Sequence, residues 1–516
     1  MKRTLLFTLF IAGFSSFHTA NAQSLIDNAL SVSRDLNSGT ARFKAMGGVG
    51  TALGGDISSI SGNPAGLGFY GQSDFSISVN YLNNSNRSNF FGNSTTQQQG
   101  TLGLENVGVV IHYPTFNAPD YGWQNFNFGF SVDRQNNFAD HLNYSGINAD
   151  NSIMHYYSDL MEDDNAFASD FLSSYLVDVD RNGRYVPTVL EADPKAQQID
   201  VITKGAKYRA NVSVGGNYSN KFYIGATFGF TSFKYDSKNT FYEGGWTKTA
   251  AEIGQDNPNS EFLDPGKPAY QYTDINYDLD DFNDIYYEGS GVNMGIGMIY
   301  KPSWDWNIGL NITTPTWTAI REESRIETSA QYYQSENSDT PLHPSYYSEL
   351  TGGVYDYTII SPWKTSVGLT KFFSRGLLSA DLEYINYSSI KYRESAGGAD
   401  YSFENQQNLA IQNLYRGTFN FKVGGEFLFT DRLAARAGMH LLGSPYKGAE
   451  EMDYIASAGL GYVITNSIYV DLTAQQYKAI NYNHHAYPMG SWDSPIPTAE
   501  VKNNRTNVVL TLGAKF

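Results

Sequence analysis

From Asp74 to Phe516 the chain repeatedly alternates large apolar with small polar side chains at a period of two, a pattern that specifies antiparallel sheet. Phe75, Ile77, Val79 and Tyr81 share one face, opposite Ser76, Ser78 and Asn80. The same division separates Phe126, Phe128, Phe130 and Val132 from Asn127, Gly129, Ser131 and Asp133, and Ile308, Leu310 and Ile312 from Asn307, Gly309, Asn311 and Thr313. It closes the chain with Val508, Leu510, Leu512, Ala514 and Phe516. A soluble sandwich also alternates, so the polar face decides. Ser, Asn, Gly and Asp suit a wet lumen, and lipid covers the apolar face without a second sheet.

The spacing predicts an all-β fold, a transmembrane antiparallel barrel of about fourteen strands. Their approximate spans are 73–81, 103–113, 124–133, 207–218, 222–235, 290–300, 304–318, 356–372, 376–388, 416–428, 433–441, 453–463, 467–477 and 506–516. Tyr81, Tyr113, Tyr218, Tyr300, Trp304, Tyr384, Phe429 and Tyr477 are expected in interfacial belts. The 38 Tyr, 31 Phe and 49 Gly fit such a wall, and no apolar run is long enough for a membrane helix. Connections tend to alternate between short turns (219–221, 301–303, 374–375, 430–432, 465–466) and longer ones. The longest loops are 134–206, 236–288, 319–355 and 478–505, expected to be extracellular, with the C-terminus periplasmic. The first should carry a helix from Ser158, its N-cap, to Leu172.

Upstream the pattern changes. Lys2-Arg3, the apolar Leu5 to Phe14 and Ala20-Asn21-Ala22 read as a signal peptide over 1–22. Residues 23–72, with a short helix from Ser24 to about Ser33, a glycine-rich stretch and the turn Asn63-Pro64, read as a plug or hatch inside a barrel of residues 73–516.

Charge and chemistry narrow the function. A formal net charge of −17 argues against nucleic acid and fits solvated loops. With no Cys, neither disulfides nor thiol catalysis applies. Asp178, Asp180 and Asn182 match the first half of a calcium loop, but Val189 stands where the bidentate Glu belongs, so a solvated turn is favoured and no cofactor is expected. The carboxylate run Asp278 to Asp284 is a weaker candidate still. His112 and His440 face the lumen by parity, and His141, His155, His343, His484 and His485 fall in the predicted loops. No catalytic constellation emerges, and the chain is not expected to be an enzyme.

The signal peptide, the glycine-rich Gly39 to Gly55, Asn63-Pro64-Ala65-Gly66-Leu67 and the fourteen-stranded tail together resemble the FadL-type outer-membrane transporters of long-chain fatty acids and aromatic hydrocarbons. Thr313-Thr314-Pro315-Thr316-Trp317 and Ser361-Pro362-Trp363-Lys364 are similar to the family too. The resemblance covers essentially the mature chain. It implies a monomer in the Gram-negative outer membrane that passes hydrophobic small molecules passively through a plugged barrel. The hatch motif Asn63, Pro64, Ala65 and Gly66 would act as a gate. Exit would be lateral, beside a third strand of Phe126 to Asp133, with Phe126, Asn127, Phe128, Gly129, Phe130 and Ser131 as the opening. Related barrels imply two alternatives, a protein-secretion scaffold and a haemin receptor.

Overall fold

A computed structural model describes residues 29–35, 38–115, 117, 121–163, 171–190, 193–334, 341–342, 344–395, 401–449, 451–487, 489 and 494–516. The signal peptide, Ser24 and the rest of 23–28, and His343 lie outside the described residues.

Fourteen antiparallel strands close into a barrel. They are β1 (Asp74–Phe90), β2 (Asn93–Pro114), β3 (Trp123–Asn137, resumed as Asp140–Asn148), β4 (Lys195–Tyr218), β5 (Phe222–Trp246), β6 (Asn276–Ser303) and β7 (Trp306–Thr313, resumed as Trp317–Tyr333). The rest are β8 (Tyr346–Ile360, resumed as Lys364–Phe373), β9 (Gly376–Asn386, resumed as Lys391–Glu394), β10 (Gly417–Leu428), β11 (Leu433–Leu442), β12 (Asp453–Val463), β13 (Ile468–Tyr477, resumed as Ile480–His485) and β14 (Thr498–Lys515). β14 pairs with β1 from Asp74↔Lys515 to Asn89↔Glu500, so the sheet closes on itself.

Alternation sets the two faces. Phe128, Phe130, Ile296 and Leu510 are exposed on the outside, while Asn127, Asn307 and Thr511 are buried inside. So broad an exposed apolar band is a lipid-facing surface. Tyr81, Tyr113, Tyr218, Tyr300, Tyr384 and Phe429 are also exposed.

The strands outrun the predicted spans. β6 has 28 residues, far more than the ~10 that cross a bilayer, so much of the expected loops is wall. The polar, charged sequence of 276–289 hid this, since outside lipid neither face of the sheet needs to be apolar. His141, His484 and His485 accordingly stand on strands. Trp304 sits in the tight turn between β6 and β7, not on a strand. Over the long-strand end a folded cap has its own core, in which Phe90, Tyr144, Tyr157, Phe171, Tyr277 and Tyr487 are buried. The expected helix at Ser158 begins earlier, as Met154–Asp163; its predicted end lies partly outside the described residues. Ser158 is interior and donates to the Met154 carbonyl at 2.8 Å, the local bond a mid-helix serine makes.

Residues 38–72, the greater part of the segment read above as a hatch, pack against the inner face of the barrel. The short helix Ala41–Ala45 is N-capped by Thr40, and Pro64–Phe69 forms a 3₁₀ helix capped by Asn63. Wall glycines face the hatch backbone. A Cβ at Gly225 would strike the Pro64 carbonyl, one at Gly309 the Thr51 carbonyl, and one at Gly424 or Gly438 the Met46 backbone. Wall side chains complete the seat. Asp381 accepts from the Gly50 and Thr51 amides (2.8 and 3.0 Å), and Asn307 donates to the Ala52 carbonyl (3.1 Å). Gly309→Val should leave a heat-resistant barrel but unseat the hatch. Limited proteolysis that cleaves 40–70 faster in the variant would show this, and wild-type protection would refute it.

Candidate functional site

The hatch motif is assembled as a unit. The Asn63 Oδ1 accepts from the Ala65 amide at 3.1 Å, and its Nδ2 donates to Thr51 O (2.6 Å) and to Leu310 O on β7 (3.3 Å). Pro64 starts the 3₁₀ helix, and Gly66 packs so tightly on Ser59 and Gly54 that a side chain has no room. All four motif residues thus touch the wall or fix the turn that does.

The segment 126–131 divides by parity. Phe128 and Phe130 face lipid, whereas Asn127 donates to the Leu67 carbonyl at 2.6 Å, Gly129 abuts Ile60, and Ser131 donates to Asp133. This stretch is hydrogen-bonded to both neighbours, β2 and β4. The discontinuity of β3 lies further along, at Phe138–Ala139.

A seam opens there. The β2–β3 ladder runs from Pro114↔Asn125 to Asn106↔Asp133 and stops. Beyond it the outer half of β2 pairs with β1, and Asp140–Asn148 pairs with β4. Side chains of the β1–β2 hairpin cap the loose edge instead. Asn86, Ser88 and Asn93 each donate to a backbone carbonyl of β3, at His141, Asn143 and Ser145, all at 2.9 Å. At the root of the seam Glu105 of β2 bridges Arg134 of β3 (2.8 Å) and Lys44 of the hatch helix, all buried.

Above the hatch lies a chamber of about 150 Å³, lined among others by Arg34, Asp35, Arg209, Lys364, Lys422 and Glu383. One side is apolar. Ala29, Leu30 and Val32 of the helical turn 29–33 pack into a cluster with Phe233, Tyr357 and Ile385. The segment is then pinned by charge. Asp35 binds Lys207 (2.6 Å) and Arg209 (3.0 Å) of β4 and also Lys364 of β8. Burial opposes ionisation of Asp35, but Arg209, Lys207 and Lys364 more than offset it and hold the carboxyl well below the usual range. None of these cations was singled out from sequence. The available signal was charge at inward parity, at Lys207 and Arg209, on a face otherwise Asn, Ser and Gly.

The calcium candidates form a hairpin turn. Asp180 accepts from the Asn182 and Arg184 amides (2.7 and 2.9 Å), and Asp178 accepts from Ser260 (2.6 Å). His141 has both ring nitrogens engaged, by Asp200 (2.7 Å) and Gln97 (2.8 Å).

These features define a closed antiparallel barrel of fourteen strands with a lipid-facing outer surface and residues 38–72 packed in its lumen. The chain shares this fold with the toluene transporter TodX of Pseudomonas putida, at a TM-score of 0.51 and 14% identity over 94% of this chain and 100% of that one. The toluene transporter TbuX of Ralstonia pickettii matches at 0.49 and 16% identity, over 93% and 99%. A FadL homologue of Pseudomonas aeruginosa matches at 0.49 and 13%, over 94% and 99%. No protein-family model matches the chain, and no curated protein sequence does. The resemblance read from the hatch motif and strand pattern is thus met at the level of fold.

Because the folded Asp35 carboxyl sits below its ordinary value of about 4, its anchorage is complete above that pH and is lost as pH falls through the depressed value. Asp35→Asn should release the segment at neutral pH, at a cost of roughly 3–5 kcal/mol for a broken buried pair. The chain lacks Cys, so a lone Val32→Cys reports release as faster maleimide labelling. Equal labelling with and without Asp35→Asn would refute the anchorage.

Proposed function

We propose that the chain takes up hydrophobic small molecules passively across the outer membrane, with long-chain fatty acids as the substrate class. It acts as a monomeric channel and not as an enzyme. The observation that carries this reading is the chamber, where an apolar cluster adjoins Lys207, Arg209 and Lys364. A fatty acid has the same two parts. Each buried CH₂ favours entry by about 0.8 kcal/mol, and its carboxylate competes with Asp35 for the three cations. The 29–35 segment occupies the site as such a ligand would, so binding and release of the hatch end are coupled.

In this reading the long-strand end and its cap face the exterior, with the turns and C-terminus in the periplasm. Ligand entering under the cap leaves sideways through the seam beside β3, near Glu105 and Arg134, above the paired segment 126–131. The exit needs no energy source because the apolar tail moves from protein to lipid. TodX, whose fold the chain shares, is a toluene transporter, which supports a hydrophobic cargo. Mass spectrometry of organic extracts from protein purified in mild detergent tests the substrate class. Fatty acids should be enriched over a control barrel from the same membranes, and Arg209→Met with Lys364→Met should abolish the enrichment. Extracts identical to the control, or enriched in haem, would overturn it.

A further inference from the structure

A smaller void of about 20 Å³ lies at the root of the seam, lined among others by Lys44, Glu105, Arg134, Gln135, Arg505 and Tyr477. Its lining carries three cations and one carboxylate. Glu105 serves both Lys44 and Arg134, and Arg134 also donates to Asn80. Arg505 has no carboxylate partner in the void. Its Nη2 donates to the Asn137 carbonyl (2.9 Å), its guanidinium lies 5.8 Å from the Tyr477 ring, and its Nε is buried without a hydrogen-bond partner. A buried guanidinium N–H left empty is unfavourable unless something else accepts from it.

We propose that this void is a second anion subsite, which receives the charged head of an amphiphilic ligand as its tail passes between β2 and β3. The inference rests on the uptake reading and deepens it. Charge sets the ligand chemistry. The excess of two cations suits a carboxylate or another small oxyanion and gives a neutral hydrocarbon nothing to bind. Position sets the path. Gln135 lines both this void and the chamber, and the hatch helix offers Phe43 to the chamber and Lys44 to the seam. A head leaving Lys207, Arg209 and Lys364 therefore reaches Lys44, Arg134 and Arg505 across a single side chain. Above this point β2 and β3 have no shared ladder, so the tail enters lipid by displacing only the side-chain bonds from Asn86, Ser88 and Asn93 to the β3 carbonyls.

The test compares uptake of radiolabelled oleate with that of the neutral hexadecanol by cells carrying the full chain, with folding checked by heat-modifiable mobility. Arg505→Gln should lower the oleate-to-hexadecanol ratio about tenfold, the effect of losing one charge-assisted contact, and Arg505→Lys should recover most of it. Lys44→Met supplies a second variant with the same expected fall. An unchanged ratio, or equal loss of both probes, would show that the cations are structural and overturn the proposal. Wild-type uptake of neither probe above a control barrel would instead overturn the uptake reading itself, and the subsite with it.

Discussion

The close approach of the hatch backbone to the wall is the constraint on which the rest of the structure depends. A barrel of this strand number is too wide for its own side chains to fill, so the lumen needs a second layer. Glycines at 225, 309, 424 and 438 let the hatch carbonyls lie directly on the strands, and Asp381 and Asn307 supply the polar partners that a buried backbone requires. The start of the helix is tied in the same way: the Ala41 amide donates to Thr511 and the Ala41 carbonyl accepts from Thr473. The seat combines these short polar contacts with small apolar clusters, in which Met46, Val49 and Leu53 meet Leu377 and Ala65 meets Tyr223 and Ile299.

Charge divides the hatch into anchored and releasable parts. Arg42 binds Glu426, which also receives Arg436, itself paired with Asp471, so this network ties the hatch helix to β10, β11 and β13 through shared carboxylates. The 29–35 segment instead depends on one carboxylate, Asp35, held by three cations. Burying ions is costly, and a lone carboxylate among several cations is replaceable by another carboxylate. The helix is thus held by a network of shared charges, and the segment before it by one carboxylate, the Lys207 bond to the Val32 carbonyl and its apolar packing.

The closed barrel and its strand count were legible because lipid imposes strict alternation. What lay beyond the lipid was not. In β6, Asp278 to Asp284 reads as a solvated loop, yet it is strand, because ladder hydrogen bonds impose no hydropathy pattern when water covers the outer face and a cap covers the inner one. The chamber was hidden for a different reason. Asp35, Lys207 and Lys364 are distant in sequence, and only closure of the barrel makes them neighbours. The seam was missed because neither Phe138 nor Ala139 is a strand breaker; β3 departs from β2 there while side chains such as Asn86 and Ser88 replace the ladder.

That replacement explains how a wall can lose part of a ladder and stay folded. In lipid an unpaired strand edge is prohibitive, since each bare amide or carbonyl lacks water. Here the ladder is lost only beyond Asn106 and Asp133, near the level where Tyr81, paired two strands away with Val508, marks the aromatic belt. From there the edge of β3 turns inward, and its carbonyls at 141, 143 and 145 are met by hairpin side chains. The triad of Lys44, Glu105 and Arg134 sits where the ladder ends and joins hatch, β2 and β3. The hatch helix is therefore joined to the end of the ladder directly, through ion pairs and not through the sheet.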